Sequence, residues 1–230
     1  MKKAIFVLLS VVLATGTAFA ANTGIPNADA SAAIKNIDFL SSTNTEMDTV
    51  LKTIIQVPQQ KELVFDVALQ CSLYTDTLVR SKLATKDTST AMAEIDVCVM
   101  VNKVGAPEAD AVMAFPGVVT YSKRTQTLSA TFQGMIADCL SVDDAGDVVL
   151  DEECVTPEEL QLILDTMDAH SFNFVAANLE QGEYEISVMA KIQNATNAEA
   201  GVALSHALIG WGSMLVNEVR FIKGADGTSM

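Results

Sequence analysis

Apolar and polar residues alternate along much of this chain. From Leu63 the sequence sets Leu63, Phe65, Val67, Leu69, Cys71 and Leu73 on one side, and Val64, Asp66, Ala68, Gln70 and Ser72 on the other. A repeat of two is the period of a strand, whose successive side chains point to opposite faces. The stretch GEYEISVMAKI separates Tyr184, Ile186, Val188, Ala190 and Ile192 from Glu183, Glu185, Ser187, Met189 and Lys191, a segregation that no helix produces. AEIDVCVMV groups Ala93, Ile95, Val97, Val99 and Val101 and turns Cys98 to the opposite face beside Asp96 and Met100. Further strands are predicted in TVLKTIIQV, GVVTYSKR, TLSATF, HSFNFVA, GVALSHALI and SMLVNEVRFI. Many short strands divided by turn residues predict a mainly β, two-layer antiparallel sandwich.

One segment departs from this period. Thr156, Pro157 and Glu159 supply an N-cap, a proline at the first helical position and an acid three residues after the cap. Leu160, Ile163, Leu164 and Met167 then recur at helical spacing, which predicts one short helix over about 157–168, lying across a sheet edge or closing one end of the sandwich.

The N-terminus has its own pattern. Lys2 and Lys3 precede an apolar run from Ala4 to Ala14, and Ala18, Phe19 and Ala20 form a small-x-small cleavage site. Residues 1–20 therefore predict a signal peptide of bacterial type, with the mature chain beginning near Ala21 in the periplasm or outside the cell. Residues 21–34, rich in Ala, Asn, Asp and Gly, are expected to form a loose leader or a strand donated to a neighbour, and 35–230 a single β-sandwich domain. No later apolar run is long enough to cross a bilayer, so membrane insertion is not expected. Half of the residues are hydrophobic, ample for a packed core.

Charge and cysteines narrow the partners and the compartment. The formal charge of -15 becomes more negative once Lys2 and Lys3 are removed, and such a surface repels phosphate backbones, which excludes nucleic acid as the expected partner. Four cysteines behind an export signal predict two disulfides. Three connectivities exist; Cys71 with Cys98 and Cys139 with Cys154 close the most local loops. The second pair brackets CLSVDDAGDVVLDEEC, whose acids Asp143, Asp144, Asp147 and Asp151 are the candidate calcium ligands of the chain. Their spacing lacks the alternation of an EF-hand loop. The preferred reading is a disulfide-stapled, hydrated hairpin.

Catalytic signatures are scarce. His170 and His206 lie far apart in strand patterns without a second ligand at metal spacing, which favours structural histidines. Ser205 and His206 form no dyad, because neighbours in a strand face opposite ways. No catalytic residue is assigned and no cofactor expected, calcium at the acidic loop being the one candidate. Trp211, the single tryptophan, sits in IGWGS, where flanking glycines suggest a turn that packs the ring against the sandwich end or displays it to a ligand.

The stretch AHSFNFVAANLEQGEYEISVMAKI, followed by GWGSMLVNEVRFIKG, resembles the closing strands of secreted jelly-roll domains, including tumour-necrosis-factor-like heads and phage tail-fibre tips. The resemblance covers roughly the last sixty residues and carries over no functional residue. It implies a sandwich of jelly-roll type that binds or assembles and does not catalyse. The expected function is thus exported, non-enzymatic recognition or assembly at the cell surface or beyond, with a protein or glycan partner and the oligomeric state open. The alternatives are a secreted hydrolase working through paired carboxylates, or a calcium-dependent carbohydrate-binding domain.

Overall fold

A computed structural model describes residues 30–36, 46–136 and 139–219; the expected signal peptide and the start of the expected leader lie outside the described residues. The strands are β1 (Ala30–Asn36), β2 (Asp48–Val57), β3 (Lys61–Ser81), β4 (Thr85–Lys103), β5 (Val112–Met113), β6 (Val119–Phe132), β7 (Leu140–Val142), β8 (Val148–Leu150), β9 (Glu158–Leu179), β10 (Gly182–Ala198) and β11 (Val202–Val219). A short 3-10 turn at Glu108–Asp110 precedes β5.

Two antiparallel sheets face each other. Sheet A runs β1-β11-β3-β9; sheet B runs β2-β10-β4 and continues beyond β4 with β6 and the short β5. Numbering the eight long strands along the chain gives orders 1-8-3-6 and 2-7-4-5. Two interlocked Greek keys produce that order, so the domain is a jelly roll. Among the described residues β7 and β8 pair only with each other, as a hairpin beside the start of β9.

The alternation read from the sequence explains the interior. Leu63, Phe65, Val67 and Leu69 of β3 meet Ile95, Val97 and Val99 of β4 and Ile186, Val188 and Ile192 of β10 in one core. A register shift on β2 opposite Val188 and Met189 lets both Val50 and Leu51 enter it. GVVTYSKR and TLSATF merge into the single strand β6, and GVALSHALI and SMLVNEV into β11.

Farther along the strands the interior turns polar. Thr75 and Thr77 are fully buried, and Gln126 joins them: its Oε1 accepts from Thr75 Oγ1 (2.8 Å), while Nε2 donates to Thr77 Oγ1 (2.5 Å) and to the Leu162 carbonyl (2.7 Å). Arg124 donates from Nη1 to the carbonyls of Leu73 (2.9 Å) and Leu164 (3.1 Å), and from Nη2 to the Thr166 hydroxyl. The Tyr121 hydroxyl accepts from the Leu69 N–H (3.1 Å) and lies within reach of the carbonyls of Val67 (3.0 Å) and His170. Three β6 side chains thus tie sheet B to β3 and β9.

At the far end Asp87 joins two hairpins. Its carboxylate accepts from the N–H groups of Arg80 (2.6 Å), Thr88 (2.8 Å) and Ala200 (3.0 Å). Gly201 completes the junction, where a Cβ would lie 1.7 Å from the Leu78 carbonyl oxygen, so no other residue fits without moving the backbone. At the opposite end Ala30 pairs with Asn217, Glu62 with Val219 and Lys61 with Leu179, so the described chain enters and leaves the sandwich together.

Two sequence expectations are corrected here. Residues 158–168 form the first half of β9, with no helix: Ser81 through Leu73 of β3 pair in unbroken register with Glu158 through Thr166. A long partner strand supplies these residues with main-chain bonds that outweigh their helical spacing and cap. The leader also ends earlier than residue 34, because Ala30–Asn36 pairs with Asn217–Trp211 of its own chain as the edge strand of sheet A.

Candidate functional site

Cys139 and Cys154 are joined, with Cα atoms 5.4 Å apart. The expected Cys71–Cys98 bond is not present: both are buried free thiols. Cys71 points into the core from sheet A, whereas Cys98 lies on sheet B between Val97 and Val99, which point into that core, and so faces the other way. Burial pushes the Cys71 thiol up to about 12 and raises Cys98 as well, so both stay protonated and unreactive.

The acidic candidates are not gathered at one point. Asp143 Oδ1 accepts from the N–H groups of Ala145 and Asp147 (both 2.9 Å), and Gly146 follows with φ +88°. Asp151 Oδ1 accepts from the Glu153 N–H (3.0 Å). Each of these two carboxylates shapes its own turn, and Asp144 and Asp147 are exposed beside them. Among the described residues no cluster of three or more His, Cys, Asp or Glu is arranged around a common centre.

The histidines are exposed, each against a tyrosine: His170 with Tyr121 (centroids 6.0 Å apart) and His206 with Tyr74 (6.1 Å). Ser205 is buried while His206 faces outward, as the strand period requires. Burial pushes the Tyr121 hydroxyl up to about 12, partly offset by the hydrogen bond from Leu69. It is a brace between sheets.

Trp211 is neither at a turn nor packed in the core. Gly210 and Trp211 occupy a β-bulge, where the register with β3 shifts between Ile209 and Gly212. The extra residue carries the indole onto the outer face of sheet A, where 57% of Trp211 is exposed. Beside it lies a shallow depression of about 270 Å³, walled by Trp211 and Ile34 over Ala68, Gln70, Ala169 and Ser213. Small residues form the floor, the ring and an aliphatic chain the wall, and the Gln70 amide and Ser213 hydroxyl supply polar groups.

The depression lies on a face with several other exposed aliphatic side chains. Ile34 (78% exposed), Met167 (65%), Ile163, Leu204 and Val202 all stand on the outer side of sheet A, at positions paired to Ser213, Ser72, Asp76 and Leu78. The same side also carries the Arg80–Glu159 pair (2.6 Å) and Gln161 Nε2 on Asp76 (2.9 and 3.0 Å), while the outer side of sheet B exposes fewer large apolar side chains. Sheet B carries there the pairs Lys52–Glu185 (2.7 Å) and Lys123–Glu94 (2.9 Å), Gln193 and Thr120 on Asp96 (2.6 and 3.0 Å), and cross-strand Thr90–Thr127 and Thr88–Ser129 bonds (3.1 Å each). Of the exposed apolar residues on sheet A only Trp211 was singled out from sequence. Met167 and Ile163 were assigned to a helix, and Leu204 was one of several apolar residues in a strand apolar on both sides; the usable signal was the presence of aliphatics at both odd and even positions.

No protein-family model matches the sequence, and no curated protein is similar to it. Among solved structures, that of the infectious bursal disease virus Gx strain aligns over 82% of this chain and 39% of the viral chain, at 8% identity and a TM-score of 0.18. A likeness at that level carries no argument, and the fold assignment rests on strand order alone.

Proposed function

We propose that the protein is an exported, non-enzymatic jelly-roll module that acts in recognition or assembly through the outer face of sheet A, with Trp211 as its anchor. The observation that carries this reading is the exposed indole, lifted by a bulge beside a small-residue depression on the outer sheet face. Leaving large apolar groups in water forgoes roughly 25 cal/mol per Å² of buried area, and an exposed indole beside further exposed aliphatic side chains marks a contact site. Export is supported by the basic, apolar and small-residue pattern of residues 1–20 and by the Cys139–Cys154 bond, which belongs to an oxidising compartment. No helix among the described residues is long and apolar enough to cross a membrane. The secreted jelly-roll domains that the C-terminal strands resemble act by binding and assembly, in keeping with this reading.

The ligand is one with a flat apolar face and hydroxyl or amide edges, a pyranose ring or an aromatic side chain. Because Trp211 is the single tryptophan, its fluorescence reports occupancy directly. Titration against a glycan panel, with and without chelator, and against candidate surface proteins identifies the ligand as the one that shifts emission. Trp211→Ala then weakens binding by about 2 kcal/mol or more, roughly thirty-fold in Kd, with an unchanged thermal melt. Equal affinity in Trp211→Ala removes the indole from the site.

A further inference from the structure

We infer that two copies of this chain associate edge to edge through β9, antiparallel about a two-fold axis at Thr166. β9 has one strand neighbour among the described residues, β3; its other edge is bridged only by Phe115 at Val175, and by Met135 at Thr156 just before the strand begins. Val175 exchanges both main-chain bonds with Phe115, 2.8 and 2.9 Å. The ladder to β3 runs without a shift from Ala176 to Glu158, so the alternate residues from Asn173 back to Glu159 direct their N–H and C=O groups to the same open side. Of the devices by which exposed edges avoid pairing, β9 lacks proline, lysine, arginine and, between Glu158 and Ala176, a bulge; it does carry the acids Glu158, Glu159, Asp165 and Asp168, which the pairing has to accommodate.

The side chains suit a second copy. Leu160, Leu162 and Leu164 point toward the interior yet remain exposed, where Gln126 and Arg124 of β6 reach β9 through polar bonds to the main chain. Each end of the free edge also exposes apolar side chains, beside the acids of the hairpin at one end and Glu108 and Asp110 at the other. One carries Val112, Phe115 (68% exposed) and Val118; the other carries Met135, Leu140 and Val142 at the disulfide hairpin. A two-fold axis across the strand brings the Phe115 turn of each copy to the hairpin of the other, so one patch is its own complement, the condition for an isologous dimer.

The open stretch from Glu159 to Asn173 is centred on Thr166, and charge tolerates that register in an acidic chain. Centred on Thr166, Asp165 lies opposite Met167, Asp168 opposite Leu164, Glu159 opposite Asn173, and Leu160 opposite Phe172. Centring on Asp165 sets that carboxylate against its own copy, and centring on Met167 drives Glu159 onto Val175, which Phe115 already occupies. The axis is perpendicular to the sheet, so both Trp211 faces lie on one side of a continuous eight-stranded surface. The dimer does not depend on the ligand reading above.

Sedimentation of the full exported chain from low to high micromolar concentration tests this. A mass twice that of the chain is expected, with association strengthened by salt, which screens repulsion between two acidic copies. Ile163→Lys, at an exposed position on the open edge, is expected to give a folded monomer whose melt equals that of the parent at low concentration, where both are monomeric. Thr166→Cys sets two thiols opposite each other in a non-hydrogen-bonded pair and is expected to yield a reducible covalent dimer on mild oxidation, whereas Ser171→Cys yields none. A chain monomeric at every concentration, a dimer that survives Ile163→Lys, or a Thr166→Cys variant that does not cross-link overturns the assignment.

Discussion

Asp87 is a carboxylate kept ionised inside a protein. Burial opposes its charge, but the N–H groups of Arg80, Ala200, Thr88 and Gly201 together overcome that and hold its pKa below the usual carboxylate range. A depressed folded pKa contributes stability above the unfolded value, near 4, that is lost as pH falls through the folded value. Asp87→Asn is therefore expected to cost about 1–3 kcal/mol at neutral pH, since its amide turns donors toward donors. The parent should lose its advantage in acid. Urea titrations of both proteins at pH 7 and pH 3 check this; an equal gap at the two pH values means the charge contributes nothing.

Among elements, the disulfide hairpin stands most alone. A two-stranded ribbon is marginal in water, and closing a loop of 15 residues contributes about 3 kcal/mol at most by chain entropy. Replacing Cys139 and Cys154 by Ser should let protease cut between them while the jelly roll stays resistant; mapping the fragments tests it, and cleavage spread over the whole chain refutes it. Calcium should not restore protection, because Asp143 and Asp151 are bound to their own turns. Such local chemistry was legible in DDAGD and its bracketing cysteines. Also legible were β3 and β10, because one side of each is apolar and the other mixed. β9 was not: Leu160, Leu162 and Leu164 on one side and Ile163 and Met167 on the other blur the two-residue period, and an apparent capping box then tips the reading to helix. The Trp211 bulge was hidden for another reason. An inserted residue shows itself only against the register of its partner strand.

For the whole molecule, the decisive feature is that one sandwich has two kinds of interior. Between Leu63 and Leu73 the facing side chains are hydrocarbon, whereas beyond them Thr75, Thr77, Gln126 and Arg124 hold the sheets through directional bonds. Apolar burial resists opening along its length, while a polar network opens to water that replaces its partners. Amide hydrogen exchange should accordingly be slowest in residues 63–71, 93–101 and 184–192 and faster in residues 75–81 of β3 and 158–168 of β9. Uniform protection along β3 contradicts this. If β9 is paired in a dimer, protection of 159–173 should also rise with protein concentration.

The shared entry and exit of the chain beside Ala30 and Val219 has a practical consequence for how this molecule is presented. Any tether attached at either flank holds it by one end and pushes the opposite end, with the Cys139–Cys154 hairpin, outward by roughly the length of β3, about 70 Å at 3.3 Å per residue. A fusion partner on one flank therefore stands beside a partner on the other. Circular permutants that join the flanks and open a distal turn would reverse this presentation without changing the order of strands in either sheet.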